Sequence, residues 1–170
     1  MAWLDRLDLP ETTLGESAPG ESIWGSNVWA SAIFTVFAVL AAIFPGPLRI
    51  PFAVFSCVLF AIGTLAFLAA YGQAIGRSRT DAITIGGIYG LSGSAPKGVQ
   101  RRFHLMTAFQ TVVAVTTAAM RPFTAQAFGI LVPMLGLGLG GLWAARHGVF
   151  GPRDDPRDRA RAQVKESFNE

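Results

Sequence analysis

A single cysteine, Cys57, excludes an intramolecular disulfide, a Cys-x-x-Cys redox pair and a thiolate metal cluster within the chain. Histidine is nearly as scarce. His104 and His147 have no acidic or thiolate neighbour in sequence to complete a metal site. Charge is sparse too, at 15% of residues, and no Asp, Glu, Lys or Arg falls inside any of the four longest apolar blocks. An embedded carboxylate that relays protons or binds a cation, the usual mark of a small coupled transporter, is therefore missing from those blocks. No Ser-His-Asp set, paired carboxylates or nucleophile elbow can be assembled from the motifs, so the chain reads as a non-enzyme with no cofactor, no bound metal and no nucleic-acid partner.

Apolar residues are what the chain has in excess. They make up 51% of its 170 residues, with a mean hydropathy of +0.42, too much for an ordinary soluble domain of that size. They gather in blocks near 28–44, 52–71, 103–120 and 124–145, each close to the roughly 20 residues that a helix needs to cross hydrocarbon. In lipid the backbone must satisfy its own hydrogen bonds, which makes these blocks helices despite their Val, Ile and Phe. The expected fold class is all-α: a polytopic membrane protein with four transmembrane helices in two antiparallel hairpins. Pro45-Gly-Pro47-Leu-Arg49-Ile-Pro51 is expected to break the first pair, and Arg121-Pro122 the second, with Pro122 in the first turn of the fourth helix.

All but Arg49 and Arg121 of the fourteen Lys and Arg residues fall in the N-terminal segment, the middle loop or the C-terminal end. An even number of crossings puts those three segments on one side, and the positive-inside bias makes that side cytoplasmic. The organisation expected is an acidic cytoplasmic segment over 1–27, a membrane domain over 28–147 with a cytoplasmic loop at 72–102, and a flexible cytoplasmic tail over 148–170. The acidic start argues against a cleaved secretory signal, which needs a positive n-region. Trp3, Leu4 and Leu7 share one helical face that would rest on the membrane surface. Trp24, Trp29, Tyr71 and Trp143 read as interfacial anchors, and Cys57 as a buried, inert thiol.

Gly136-x-Gly138-x-x-Gly141 has the spacing of a dinucleotide-binding turn, but its context fails. Pro133 sits where a central strand would run, and no second buried strand precedes Asp154 and Asp155. On a membrane helix the same region supplies a packing face: Gly136, Gly140 and Ala144 follow small-xxx-small spacing, Ala125 and Gly129 repeat it, and Pro133 between them can kink the helix. Inside the membrane, Gln110 and Thr111 are the polar residues singled out, with Gln110 expected to bond across to a neighbouring helix.

The middle loop is longer than a bare connection requires. Its Ile83, Ile85, Ile88, Tyr89 and Leu91, interrupted by glycines, fit a strand, a hairpin or an interfacial helix, the preferred version being a helix capped near Thr80-Asp81. Ser94-Ala-Pro96 reads as the cap and first turn of the next helix. Arg77, Arg79, Lys97, Arg101 and Arg102 are candidates for contact with lipid headgroups, although topology alone also accounts for basic residues there.

The runs "SGSAPKGVQRRF" and "RPFTAQAFGILVPMLGLGLGGLWAARHG", covering roughly Ser92 to Gly148, resemble small uncharacterised four-helix membrane proteins of actinobacteria. The resemblance implies a bacterial cell (inner) membrane and transfers no catalytic residue. The function expected is that of an accessory or scaffold subunit working through helix contacts, with the lipid bilayer and either a membrane-protein partner or a second copy as its partners. The alternative is a pore or carrier for a neutral or lipidic solute, and an enzyme acting on headgroups ranks last.

Overall fold

The computed structural model describes residues 20–153. The expected N-terminal surface helix, most of the acidic segment, and all but the first residues of the tail lie outside them. The described elements are helical, in the order α1 (Glu21–Ile43), α2 (Pro45–Arg77), α3 (Ile85–Tyr89), α4 (Lys97–Met120), a 3-10 stretch (Ala125–Leu131) and α5 (Pro133–His147), with no strand among them. Four helical segments are long and apolar enough to cross a membrane, the fourth being the 3-10 stretch and α5 taken together.

Each span buries one stripe at helical spacing. In α1 the stripe is Ile23, Asn27, Ser31, Phe34, Ala38 and Ala41; in α2 it is Phe52, Ser56, Leu59, Gly63, Ala66, Ala70 and Ala74. The opposite faces are as apolar as the stripes, with Trp29, Ile33, Val36, Leu65, Leu68, Val112 and Val115 among the exposed residues. A bundle of this size that is apolar on its outside as well as its inside has lipid as its matching solvent.

The fourth span packs against all three others, most extensively against α2, while α1 also touches α2 and α4. The fourth span is the most enclosed, 56% of its apolar window being buried against 28% for each other span. Phe34 stacks on Phe52 at 6.1 Å beside Val132 and Leu135, closing the middle of the core. Gly20 lies against Trp143 and His147, so both ends of the described chain meet at one end of the bundle.

The prolines behave differently from expectation. α2 starts at Pro45 and runs 33 residues, with Pro51 inside it. Pro45 and Pro47 fall in the first turn, where an N–H has no intrahelical acceptor to lose, so only Pro51 removes a bond, and a long helix outweighs one such loss. At 1.5 Å per residue α2 is about 50 Å long, more than the thickness of a hydrocarbon core, with Arg49 near its start and Arg77 at its end. Pro122 lies in a turn before the fourth span, whose cap is Thr124, accepting from the Gln126 N–H. Pro133 is the first residue of α5, and marks where tight 3-10 winding relaxes to α rather than a bend within one α-helix.

The middle loop folds onto one end of the bundle. No helix starts at Thr80-Asp81, because both side chains finish α2 instead: the Thr80 hydroxyl donates to the Arg77 carbonyl at 3.2 Å, and Asp81 pairs with Arg77 at 3.0 Å. The cap of the short α3 is Thr84, accepting from the Gly87 N–H at 3.0 Å. With Ile88 buried and Tyr89 stacked on Phe67 at 4.0 Å, α3 docks on the bundle rather than lying in the interface. The Ser94 hydroxyl donates to the Gly87 carbonyl, which leaves Pro96 as the residue before α4.

Two further expectations are corrected. Trp143 is 6% exposed and packs with Phe103, a core residue rather than an anchor, whereas Trp29, at 71%, faces outward. Cys57 is exposed on the outer face of α2.

Candidate functional site

The most polar part of the membrane interior lies between α1 and α4. Gln110, fully buried on α4, donates through Nε2 to Asn27 Oδ1 (3.0 Å) and Ser31 Oγ (2.7 Å), both on α1, and the Ser31 hydroxyl donates to the Asn27 carbonyl at 2.6 Å. Burial in hydrocarbon forces such a pairing, since an unmatched amide there is expensive. The pairing is incomplete: Asn27 Nδ2 and Gln110 Oε1 have no partner among the described residues. Room for the Gln110 amide comes from Gly136, where a Cβ would sit 2.7 Å from Oε1 and 2.5 Å from Thr107 Oγ1.

On the outer side of this trio runs an open cleft of about 690 Å³ between α1 and α4. Val28, Val36, Leu105 and Phe109 make its walls, Ser31 and Thr35 lie along it with their hydroxyls bonded to carbonyls of α1, and Arg102 closes its loop end. Thr111, the other intramembrane polar residue singled out in sequence, stands outside the trio: it is exposed and donates to the Thr107 carbonyl of its own helix at 2.8 Å.

The small residues of the fourth span turn inward. Gly129 faces Phe52 and Phe34, Gly140 lies 3.5 Å, as a Cβ, from Leu91 and Phe103, and Ala144 is wholly buried. Ala125 is half-buried at the far end. The closest helix crossing is made by a different pair. A Cβ on Gly63 of α2 would meet Leu135 backbone at 2.6 Å, and one on Gly138 would collide with the Gly63 carbonyl. Gly138 thus packs more tightly than any member of the stripe chosen from spacing, and Gly141, whose Cβ would stand 2.8 Å from the Tyr89 ring, is tighter than Gly129 and Gly140 but not than Gly136. Only Gly63, as the lone glycine in the second apolar block, offered a clue.

A second small-residue stripe faces out. Ala69, Gly72 and Gly76 are exposed on one face of α2, and nothing lies within 4 Å of where a Cβ on either glycine would stand.

The basic residues do not converge on one site. Arg79, Lys97, Arg101 and Arg102 are exposed. Arg77 is committed to the fold: it donates to Asp81 Oδ2 (3.0 Å), to the Ala145 carbonyl (3.0 Å) and to the Gly148 carbonyl (3.1 Å), and lies over the Phe150 ring. Charge-assisted bonds to the last carbonyls of α5 complement the negative end of that helix and fasten α2 to it. His104 and His147 are exposed, and no group of three metal-ligating side chains occurs among the described residues.

No family model, curated protein or solved structure matches this chain.

Proposed function

We propose that this four-span membrane protein is a non-enzymatic accessory or scaffold subunit of a bacterial cell membrane, with its termini in the cytoplasm, acting through helix contacts. The observation that carries this reading is the outward stripe Ala69, Gly72 and Gly76 on α2. Between lipid-covered helices there is no hydrophobic drive to associate, so close backbone approach over small residues is a main source of affinity. The small residues of the fourth span are engaged within the bundle, whereas this stripe is open to a partner helix. The test is native mass in mild detergent after extraction from the cell membrane. Wild type should run as a defined larger species that the double substitution Gly72→Leu/Gly76→Leu dissolves and Val112→Leu, on the outer face of α4, leaves intact. A monomer in wild type refutes the proposal.

A second reading, a carrier for a neutral or lipidic solute, is favoured by the unpaired donor of Asn27 and acceptor of Gln110 behind the cleft wall at Ser31. Both atoms are closed off from the cleft, so a small solute offering a donor and an acceptor would complete that set once the Ser31 side chain moved aside. Glycerol flux and fluorescent-phospholipid exchange in proteoliposomes, each compared with Gln110→Leu, test it. Flux equal to that of empty liposomes rules it out.

A further inference from the structure

At the end of the bundle away from the middle loop, a cavity of about 480 Å³ is lined by Ala41, Arg49, Phe52, Arg121, Thr124 and Gln126, among others. Arg49 and Arg121 are the two basic residues that break the charge asymmetry of the chain, one near the start of α2 and the other at the end of α4, and the fold brings them to the same cavity. The only carboxylates in the described part are Glu21 and Asp81, both at the opposite end, so neither guanidinium has an acidic partner among the described residues. The third element is Gln126. It is 4% exposed, it lines the cavity, and neither Nε2 nor Oε1 has a hydrogen-bond partner among the described residues.

We propose that this cavity is an oxyanion site for a phosphoryl group, held by Arg49 and Arg121 with the Gln126 amide as a neutral donor. Two guanidiniums without counter-charge among the described residues favour a multiply charged anion, and their planar forks match phosphoryl oxygens in pairs. Gln126 Nε2 is enclosed beside the cavity; turned toward it, the amide supplies a donor that adds no charge, so a bound anion completes the pairing of a buried amide that has no partner among the described residues. The volume falls in the range of small-ligand sites. Phosphate chemistry reaches this layer either as a phospholipid headgroup or as a free phosphate, and both present the same oxygens.

The test uses the full chain purified in mild detergent. Inorganic phosphate binding is measured by calorimetry, retained phospholipid by native mass spectrometry, and binding of short-chain phosphatidylglycerol by calorimetry, for wild type, Arg49→Gln, Arg121→Gln, Gln126→Leu and the remote control Arg153→Gln. Each site variant should weaken binding about tenfold or more, while Arg153→Gln leaves it unchanged. Binding of inorganic phosphate identifies a free-phosphate site; binding of the phospholipid alone identifies a headgroup site. Equal affinity in wild type and all site variants, or no binding of either probe by wild type, overturns the proposal. Arg121→Lys guards against misfolding: it keeps the charge and loses the fork, and should fall between wild type and Arg121→Gln.

Discussion

Adding one methyl group to different glycines should separate them by kilocalories, in an order set by what each Cβ would meet. At Gly138 it would run into the Gly63 carbonyl and come within 3.1 Å of the Phe67 nitrogen, and at Gly63 it would stand 2.6 Å from Leu135 Cα. Every obstacle there is backbone. The only relief is for α2 and α5 to move apart, which loosens the Leu59, Leu135 and Val132 packing beside the crossing. Overpacking typically costs 1–3 kcal/mol, and rigid obstacles put Gly138→Ala and Gly63→Ala at the upper end, about 2–3 kcal/mol, or about 30- to 150-fold in the folded ratio. Gly136→Ala meets the ends of the Thr107 and Gln110 side chains, which can shift, and should cost about 1 kcal/mol. Gly140→Ala makes ordinary contacts at 3.5 Å and Gly72→Ala meets nothing, so both should be neutral or gain up to about 1 kcal/mol of helix propensity. Unfolding by an SDS titration in mixed micelles, followed by tryptophan fluorescence with buried Trp143 as a reporter, reads the series. Gly138→Ala as stable as Gly72→Ala would refute the α2–α5 crossing.

Three more outcomes follow from particular contacts. Gln110→Leu leaves Asn27 and Ser31 without their partner, and should cost about 1–2 kcal/mol in the same titration, with Asn27→Leu added to it costing less than the sum of the singles. Arg77→Gln removes the ties to Ala145, Gly148 and Asp81, so amide exchange over 78–96 should speed up at least about tenfold, and Arg77→Lys should not restore it because an ammonium lacks the fork. Burial, and secondarily the neighbouring Tyr71, raises the Tyr89 phenol above its ordinary value of 10.0. The folded state therefore holds that proton longer than the unfolded state, and the stabilisation, full below pH 10.0, is lost as pH climbs through the raised value. Tyr89→Phe should be less stable at neutral pH, having lost the bond to the Phe67 carbonyl (3.1 Å), but should show a shallower decline in alkali.

Four spans are legible because lipid demands long apolar helices, and the blocks meet that demand without interruption by charge. Gln110 is legible as a cross-helix donor for the same reason: an amide in hydrocarbon must find a partner. What the spacing conceals is which face of an all-apolar helix turns inward. Cys57 and Trp143 change places with respect to expectation because neither face of their helices is marked by polarity. The fourth span has glycines at 129, 136, 138, 140 and 141, so small residues occupy more than one face, and the Gly63 crossing emerges only from the tertiary arrangement. In the middle loop, isoleucines broken by glycines have no period. There the fold is set by Arg77 and Tyr89 reaching back to α5 and α2, contacts with no local signature.

Cross-linking in native membranes bears most directly on the role of the outward α2 stripe. With Cys57 replaced by serine, single substitutions Ala69→Cys, Gly72→Cys and Gly76→Cys are compared with Val112→Cys on the outer face of α4, each carrying a short thiol-attached photoactivatable cross-linker. The account predicts a defined adduct from the three α2 positions and none from Val112→Cys. No adduct from α2 would mean that this face meets only lipid, and equal adducts from both helices would mean that the stripe is not a specific contact; either result contradicts the account.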